Sequence, residues 1–321
     1  MSIISNCTSS AIKHAATSLV EGNLVAFPTE TVYGLGADAT NEDAIARIYR
    51  VKSRPTDHPL IVHISSIEYL DKWAREIPDY AIKLAKSFWP GPLTVIFPRT
   101  DLAKDFISGG QNNIGIRVPA HPVAQALLRE FEAQGGLGVA APSANKFGAV
   151  SPTTSGDVEL ELAGLLSMND QILNGGPCSV GIESTIINCT LPKPIILRPG
   201  AVTMEQVENS LEYYINSNIN PHDQIKSPGS FKSHYSPVAK VYLTGSPNPG
   251  DGFIAYAHIK TPIGAIRLAS PKNNEEYAQV LYSSLRCGDL ESIPNIYVVP
   301  PNSDGIGAAI CDRLIKCSTK I

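Results

Sequence analysis

The chain has 321 residues, of which 43 % are apolar, so it is long enough for about two globular domains. Its net charge of −4 at pH 7 argues against a protein whose main task is to coat nucleic acid, because that task needs a basic face. No segment approaches the roughly 20 consecutive apolar residues of a membrane-spanning helix. Six cysteines without a CxxC pair are typical of reduced thiols, and we expect a cytoplasmic protein.

The first two thirds of the chain predict alternating strands and helices. Strands are expected over residues 24–27, 60–64, 93–97, 114–118, 138–141, 185–188 and 195–197. Helices are expected over residues 10–21, 41–50, 79–88, 122–134 and 204–215. Several strands are continuous apolar runs, as in sheets buried on both faces, so the pattern predicts an α/β fold.

A change in composition divides the chain after the last of these helices. Residues 216–237 are rich in Asn, Ser, Pro and Gly, which predicts a linker. Beyond it, strands are expected over residues 238–243, 253–256, 263–268 and 296–299, and helices over residues 275–286 and 305–317. Residues 238–321 therefore form a second, smaller α/β domain in this prediction.

A polar segment, residues 28–38, follows the first apolar run. From residue 34 it contains GxGxxA, a relaxed form of the dinucleotide-binding fingerprint. Lys52 and Arg54 stand about where such a site requires an acidic residue, so we disfavour a nicotinamide enzyme. Pro55 and Pro59 stiffen the loop around these cations, and long cations on a stiff loop suit a bound polyphosphate.

Further segments carry anion-binding chemistry. Residues 140–145, AAPSAN, are small enough to let a ligand approach the backbone, and the glycines of residues 175–185 allow a nest of amide groups. Arg117 lies inside an apolar strand and Arg198 ends another. Each needs an anion, which is either a carboxylate of the protein or a carboxylate or phosphate of a ligand. Glu30 is a candidate acid or base, but it lies in no apolar run that would raise its pKa.

No metal-ligand spacing and no nucleophile motif occurs in the sequence, so we expect no protein-bound metal centre. Positioning and charge neutralisation are then the available means of catalysis, and they suit transfer chemistry at phosphorus.

Seven segments resemble, in this order, the YrdC/Sua5 family: PTETVYGLGADA, KSRPTDHPLIVHI, WPGPLTVIF, IGIRVPAHP, APSANKFGAVSPT, GIESTIIN and ILRPGA. The later SPG and HYSP segments are similar to the longer Sua5 type. The resemblance implies a YrdC-like twisted mixed sheet with helices around a cationic cavity, plus a smaller C-terminal Rossmann-like α/β domain. With the change in composition, this assigns residues 1–215 to the catalytic domain, 216–237 to the linker and 238–321 to the C-terminal domain. The polar, motif-bearing sequence of the linker predicts that it acts as a lid over the active site.

The resemblance also implies an L-threonylcarbamoyladenylate synthase. Such enzymes convert L-threonine, bicarbonate or CO2, and ATP into threonylcarbamoyl-AMP and pyrophosphate, with Mg²⁺ accompanying ATP and held mainly by phosphate oxygens and water. Downstream threonylcarbamoyl-transfer proteins then modify adenosine 37 of tRNAs that read codons beginning with A. Weak contact with tRNA is conceivable, and an RNA-binding module without adenylating activity is the alternative.

The residue matches divide between the two substrates. Five match the threonine pocket: Thr31, His63, Arg117, Ala141 and Ser184. Ten match the ATP site: Lys52, Arg54, His58, Asn113, Ser143, Asn145, Ser151, Arg198, His234 and Tyr235. Lys52 and Arg54 are the expected catalytic cations. One departure is that Ser233 precedes His234 where the family tends to have a basic residue.

Overall fold

A computed structural model describes residues 3–162, 164–215, 225–229 and 235–318. Their strands are β1 Ile3–Asn6, β2 Val25–Phe27, β3 Gly34–Asp38, β4 Ile61–His63, β5 Leu93–Pro98, β6 Asn113–Arg117, β7 Val139–Ala140, β8 Gln171–Asn174, β9 Thr185–Asn188, β10 Ile195–Arg198, β11 Lys240–Tyr242, β12 Gly252–Ile254, β13 Ile266–Ala269 and β14 Asn295–Val298. Their α-helices are α1 Ser9–Val20, α2 Glu42–Lys52, α3 Leu70–Trp73, α4 Asp79–Phe88, α5 Asp105–Ser108, α6 Pro122–Ala133, α7 Ser155–Leu162, α8 Met204–Leu211, α9 Asn274–Leu290 and α10 Gly307–Ser318.

The strands form two sheets. The larger sheet is mixed and has ten strands in the order β1-β8-β2-β3-β7-β4-β6-β5-β9-β10, and the smaller is a parallel sheet in the order β11-β14-β12-β13. The predicted α/β fold with a second, smaller α/β unit is therefore confirmed. In the part of the chain that the structure describes, no helix is both long and apolar enough to cross a membrane.

Every predicted strand and helix is present, with ends shifted by a few residues. The prediction missed β1, β3, β8 and the helices α3, α5 and α7. Strand β3 has the sequence GLGAD, which has low strand propensity, and it forms because β2 and β7 pair with it on either side. Its glycines admit close neighbours, since a Cβ at Gly36 would lie 2.8 Å from the Phe27 ring. The GxGxxA segment thus begins in a strand and not at a strand-to-helix turn, which agrees with the rejection of a dinucleotide site.

Helix α2 positions the first cation of the site. Its first turn is capped by Asn41, whose Oδ1 accepts the Ala44 amide at 3.0 Å. The helix ends at Lys52, and Ser53 adopts the left-handed conformation with φ 51°. The backbone therefore turns away from the helix axis immediately before Arg54.

The two sheets share a boundary core. Val32, Val150 and Ile182, which all belong to loops of the larger sheet, pack in one apolar cluster with Ile254 and Leu281 of the C-terminal domain. The C-terminal domain consequently rests on loops that also carry candidate site residues.

Candidate active site

Strand ends and loops of the larger sheet enclose a polar cavity. The residues that line it are Thr31, Val32, Arg54, Leu60, Ile61, His63, Arg117, Ala141, Pro142, Ser143, Glu183, Ser184, Arg198, Pro228, Gly229 and Tyr235. All five predicted threonine-pocket residues are among them. Of the ten predicted ATP-site residues, Arg54, Ser143, Arg198 and Tyr235 line this cavity. His234 and Ser233 lie outside the described residues.

Arg54 presents a buried guanidinium to the cavity. Its Nη2 donates to the Pro59 carbonyl at 2.9 Å, and its guanidinium carbon lies 5.8 Å from the centre of the Phe147 ring. Burial lowers the pKa of Arg54 to about 10, so the group stays protonated at neutral pH. His58 lies beside it, and its ring packs against the same Phe147 ring at 5.1 Å between ring centres with a tilt of 59°.

Lys52 has a different environment from the one expected. It is the last residue of α2, it is 1 % exposed, and its Nζ donates to the Ser143 carbonyl at 2.6 Å and to the Asn145 carbonyl. Burial and the neighbouring Arg54 lower the pKa of Lys52 well below its usual value. The view of Lys52 as a long cation on the stiff loop is corrected, because the amine ties α2 to the loop of the small-residue segment.

Asn145 and Ser151 also support the cavity from behind. The Asn145 amide donates to the Lys146 and Ala149 carbonyls, each at 2.8 Å, which stiffens the loop after β7. The Ser151 hydroxyl donates to Oε1 of Glu183 at 2.6 Å, and both side chains are buried. The two residues therefore hold other parts of the wall in place.

A second, apolar cavity adjoins the first. It shares Leu60, Ile61 and Pro228 with the polar cavity, and Asn113 of the predicted ATP site lies in its wall. Ile96 and Ile186 supply further apolar surface. The two cavities therefore share part of their walls.

One end of the polar cavity is built around Arg117. The parallel pairing of β4 with β6 places His63 opposite Arg117. Arg117 Nη2 lies 2.6 Å from Glu30 Oε1, and its Nε donates to the Gly91 carbonyl at 3.3 Å. Burial and the Arg117 charge lower the pKa of His63 to about 3, so its imidazole is neutral. The Thr31 hydroxyl completes this end and shares a hydrogen bond of 2.8 Å with Thr29.

Another part of the wall is built by Arg198 and Ser184. Arg198 Nη2 donates to the Ser184 carbonyl at 2.9 Å and to its hydroxyl at 3.1 Å. Its Nη1 donates to the carbonyl of Pro228 in the linker at 3.0 Å. The Ser184 hydroxyl also lies 2.8 Å from that of Thr94. The sequence segment GIESTIIN and the linker thus meet on one guanidinium.

The charges of the cavity leave a cationic excess. Of its three arginines, Arg117 is paired with Glu30, while among the described residues Arg54 and Arg198 have no carboxylate within ion-pairing distance. The second acid, Glu183, is paired with Arg313 of the C-terminal domain at 2.9 Å. Two buried guanidinium groups are therefore available to a ligand that carries several negative charges.

Three residues that shape this site have roles that the sequence did not indicate. Glu30 had been considered as an acid or base, but its carboxylate is an ion-pair partner. Glu183 stands inside a quoted motif, where an acid between Ile182 and two hydroxyl residues was the available signal. Arg313 lies 130 positions from Glu183, and no local pattern indicated it.

Two protein-family models match this sequence and together cover almost the whole chain. A family model described as "Telomere recombination", Sua5_yciO_yrdC, matches residues 17–200. The chain belongs to the Sua5/YciO/YrdC family. A second model, described as "Threonylcarbamoyl-AMP synthase, C-terminal domain", matches residues 202–319.

Relatives within this family match both domains together. The threonylcarbamoyl-AMP synthase of Pyrococcus abyssi is 38 % identical over 96 % of this chain and 94 % of its own length. That of Bacillus subtilis is 37 % identical over 96 % of this chain and 92 % of its own length. The crystal structure of P. abyssi Sua5 complexed with L-threonine has 35 % identity and a TM-score of 0.87, covering 99 % of this chain and 98 % of that one.

Proposed function

We propose that the chain is an L-threonylcarbamoyladenylate synthase, a nucleotidyltransferase that converts L-threonine, bicarbonate or CO2, and ATP into threonylcarbamoyl-AMP and pyrophosphate. The observation that carries the proposal is a single cavity whose three arginines have different charge partners. Arg117 is paired with Glu30 beside a neutral histidine and hydroxyls, while Arg54 and Arg198 have no carboxylate partners among the described residues. The similarity to named synthases along both domains supports it.

The Arg117 end suits L-threonine. Glu30 and Gly91 take up Nη2 and Nε of Arg117, and within the described chain Nη1 makes no hydrogen bond. A guanidinium edge of this kind binds a carboxylate well. The neutral imidazole of His63 and the hydroxyl of Thr31 offer hydrogen bonds without adding charge, and Ala141 leaves room above the strand.

The other two arginines suit ATP. Arg54 and Arg198 present positive charge to a triphosphate, and Ser143 lines the same cavity. Ile61, Ile96 and Ile186 of the adjoining apolar cavity would contact a purine ring, with Asn113 as an amide partner, once that cavity widens to admit the ring.

Two steps follow from this arrangement. The threonine amine adds to CO2 and releases a proton, or it condenses with bicarbonate and releases water; either route gives a carbamate. A carbamate oxygen then attacks the α-phosphorus in line, the P–O bond to the β-phosphate breaks, and pyrophosphate leaves. Both reactants are anions, so the guanidinium groups of Arg54 and Arg198 stabilise the charge that accumulates as they approach.

Mg²⁺ is expected to enter as the ATP complex. Among the described residues, no group of three or more His, Cys, Asp or Glu side chains is arranged to hold a metal ion. Phosphate oxygens and water would then supply most ligands, which is the coordination that Mg²⁺ commonly keeps in nucleotide sites. The ion would neutralise phosphate charge while the chain's own residues position the substrates.

The product links the reaction to tRNA. Threonylcarbamoyl-AMP is a mixed anhydride, and its threonylcarbamoyl group would be transferred to adenosine 37 of tRNAs that read codons beginning with A. Separate transfer proteins would carry out this step. The linker, residues 216–237, would act as a lid, because Pro228, Gly229 and Tyr235 already lie in the cavity wall.

The deciding experiment measures pyrophosphate release with each substrate omitted in turn, and identifies threonylcarbamoyl-AMP by mass spectrometry. The proposal requires release that depends on threonine and bicarbonate together, with a product of the correct mass. Release without threonine would contradict it. Tight tRNA binding without any turnover would favour the RNA-binding alternative.

A further inference from the structure

A buried ion pair joins the last helix of the chain to the cavity wall. Arg313 of α10 is 0 % exposed, and its Nε lies 2.9 Å from Oε2 of Glu183. The same carboxylate accepts the hydroxyl of Tyr282, from α9, at 2.9 Å and that of Ser151 at 2.6 Å. Two side chains of the C-terminal domain therefore hold an acid that belongs to the larger domain.

Glu183 is adjacent in sequence to a residue of the cavity. Ile182, before it, packs in the core of the C-terminal domain. Ser184, after it, carries the hydroxyl and carbonyl that Arg198 binds. Consecutive residues thus connect the C-terminal core, the ion pair and the cavity, so a displacement of the Glu183 backbone would also displace Ser184 and its partner Arg198.

The ion pair also controls the charge of the wall. Burial alone raises the pKa of Glu183, but Arg313 and then Arg198 outweigh it and lower the pKa to about 2, so the carboxylate is charged. Without Arg313 this charge would face a bound triphosphate, and it would compete for the guanidinium of Arg198. The unpaired carboxylate would also destabilise the fold, because it would remain buried without a compensating charge.

Arg313 has a second contact with the cavity through the linker. Its guanidinium carbon lies 5.2 Å from the centre of the Tyr235 ring, which lines the cavity. Tyr235 in turn stacks on Tyr282 at 5.9 Å between ring centres. One side chain of α10 therefore contacts both Glu183 and the part of the linker that forms the wall.

Arg286 also joins the two domains, but it does not contact the cavity wall. It also extends from the C-terminal domain to the larger domain, where it lies 3.1 Å from Glu161 and 3.6 Å from Asp157. It donates to the Val150 carbonyl at 2.7 Å as well. None of these three partners lines the polar cavity. Arg286 is therefore a matched contact that fastens the domains without touching the wall.

We propose that Arg313 is a positioning residue of the nucleotide site: by neutralising Glu183 and supporting Tyr235, it lets the C-terminal domain set the charge and geometry of the cavity wall. The proposal rests on the proposed function for its substrate, ATP. It gives the C-terminal domain a defined part in substrate binding that differs from simple attachment.

The test compares full-length variants R313M, E183Q/R313M and R286M, with R313K as a variant that keeps the charge. Pyrophosphate release is measured at varied ATP and varied threonine, and ATP binding is measured by calorimetry. We expect R313M to lose about tenfold or more in kcat/KM for ATP, R286M to stay within about threefold of wild type, and R313K to fall between them. The double variant E183Q/R313M should recover most of the loss, because it removes the uncompensated carboxylate.

Several results would overturn the proposal. These are an R313M enzyme within about threefold of wild type, an R286M loss equal to that of R313M, or a double variant no better than R313M. Urea unfolding of each variant separates a folding defect from a binding defect, and R313K serves if R313M does not fold. If wild type shows no threonine-dependent turnover, the proposed function fails, while the ATP affinities of the same variants still decide the role of Arg313.

Discussion

The guanidinium of Arg117 lies 2.6 Å from the carboxylate of Glu30, and both side chains are buried. The other carboxylate oxygen of Glu30 accepts the Ala120 amide at 3.0 Å. Burial raises the pKa of Glu30, but Arg117 and the Ala120 amide lower it by a larger amount. The pKa of Glu30 therefore lies below its usual value. The ion pair holds the polar segment that carries Thr31 against the strand that carries Arg117.

Replacement of Arg117 by Met should damage both folding and threonine use. The variant leaves Glu30 charged and buried without its partner, which costs about 3–5 kcal/mol in free energy of unfolding. The double variant E30Q/R117M should regain much of that stability but not the low KM for threonine. Urea unfolding and pyrophosphate release at varied threonine test the two effects separately. Equal threonine KM values for wild type and the double variant would show that Arg117 does not bind the substrate carboxylate.

Arg54 and Lys52 should respond differently to substitution. R54Q removes a cation that faces the cavity, so turnover with ATP should fall by roughly 10²-fold or more, and the loss of the donor to the Pro59 carbonyl should lower the unfolding free energy by about 1 kcal/mol. K52M leaves the Ser143 and Asn145 carbonyls without their donor, so its main effect should be a loss of about 1–3 kcal/mol in unfolding free energy. R50Q, at an exposed position of the same helix, is the control. A stable K52M enzyme with a specific ATP defect would contradict this division.

Gly229 should tolerate no side chain. Its φ is +82°, and a Cβ there would collide with the Tyr235 hydroxyl and lie 3.4 Å from Arg198 Nη1. G229A should therefore displace the linker from the cavity wall and lower turnover by roughly 10²-fold, as misplacement near 1 Å commonly does. G250A has a similar backbone, φ +90°, with no atom within 4 Å, and it measures the backbone strain alone. Similar activities for the two variants would refute a specific effect of the linker.

His63 should make stability depend on pH. Its folded pKa of about 3 lies below the unfolded value near 6.5, so the unfolded state binds the proton more readily. This contribution is complete above pH 6.5 and is lost as the pH falls toward 3. The free energy of unfolding that is lost on going from pH 7 to pH 5 is about 2 kcal/mol. Urea unfolding at both pH values should show this loss in wild type and a smaller one in H63Q or H63M. An unchanged difference in both variants would exclude His63 as the source.

The sequence alone was sufficient for most of the fold, because the signals that define its elements are local. Apolar runs such as residues 93–97 predict strands, and capped amphipathic segments such as residues 41–50 predict helices, whatever lies elsewhere in the chain. Strands β3 and β8 carry no such signal and form only because distant strands pair with them. The order of the motifs was likewise enough to indicate the family.

Only the tertiary structure decided what each charge does. The sequence indicated that Arg117 needs an anion and left open whether protein or ligand supplies it, and the fold brings Glu30 to it from 87 positions away. It also showed Lys52 as one cation among several, while the fold buries its amine against backbone carbonyls. Nothing in the sequence indicated the role of Arg313, because its partner Glu183 belongs to the other domain. Charge pairing depends on distances in space, which a linear pattern does not contain.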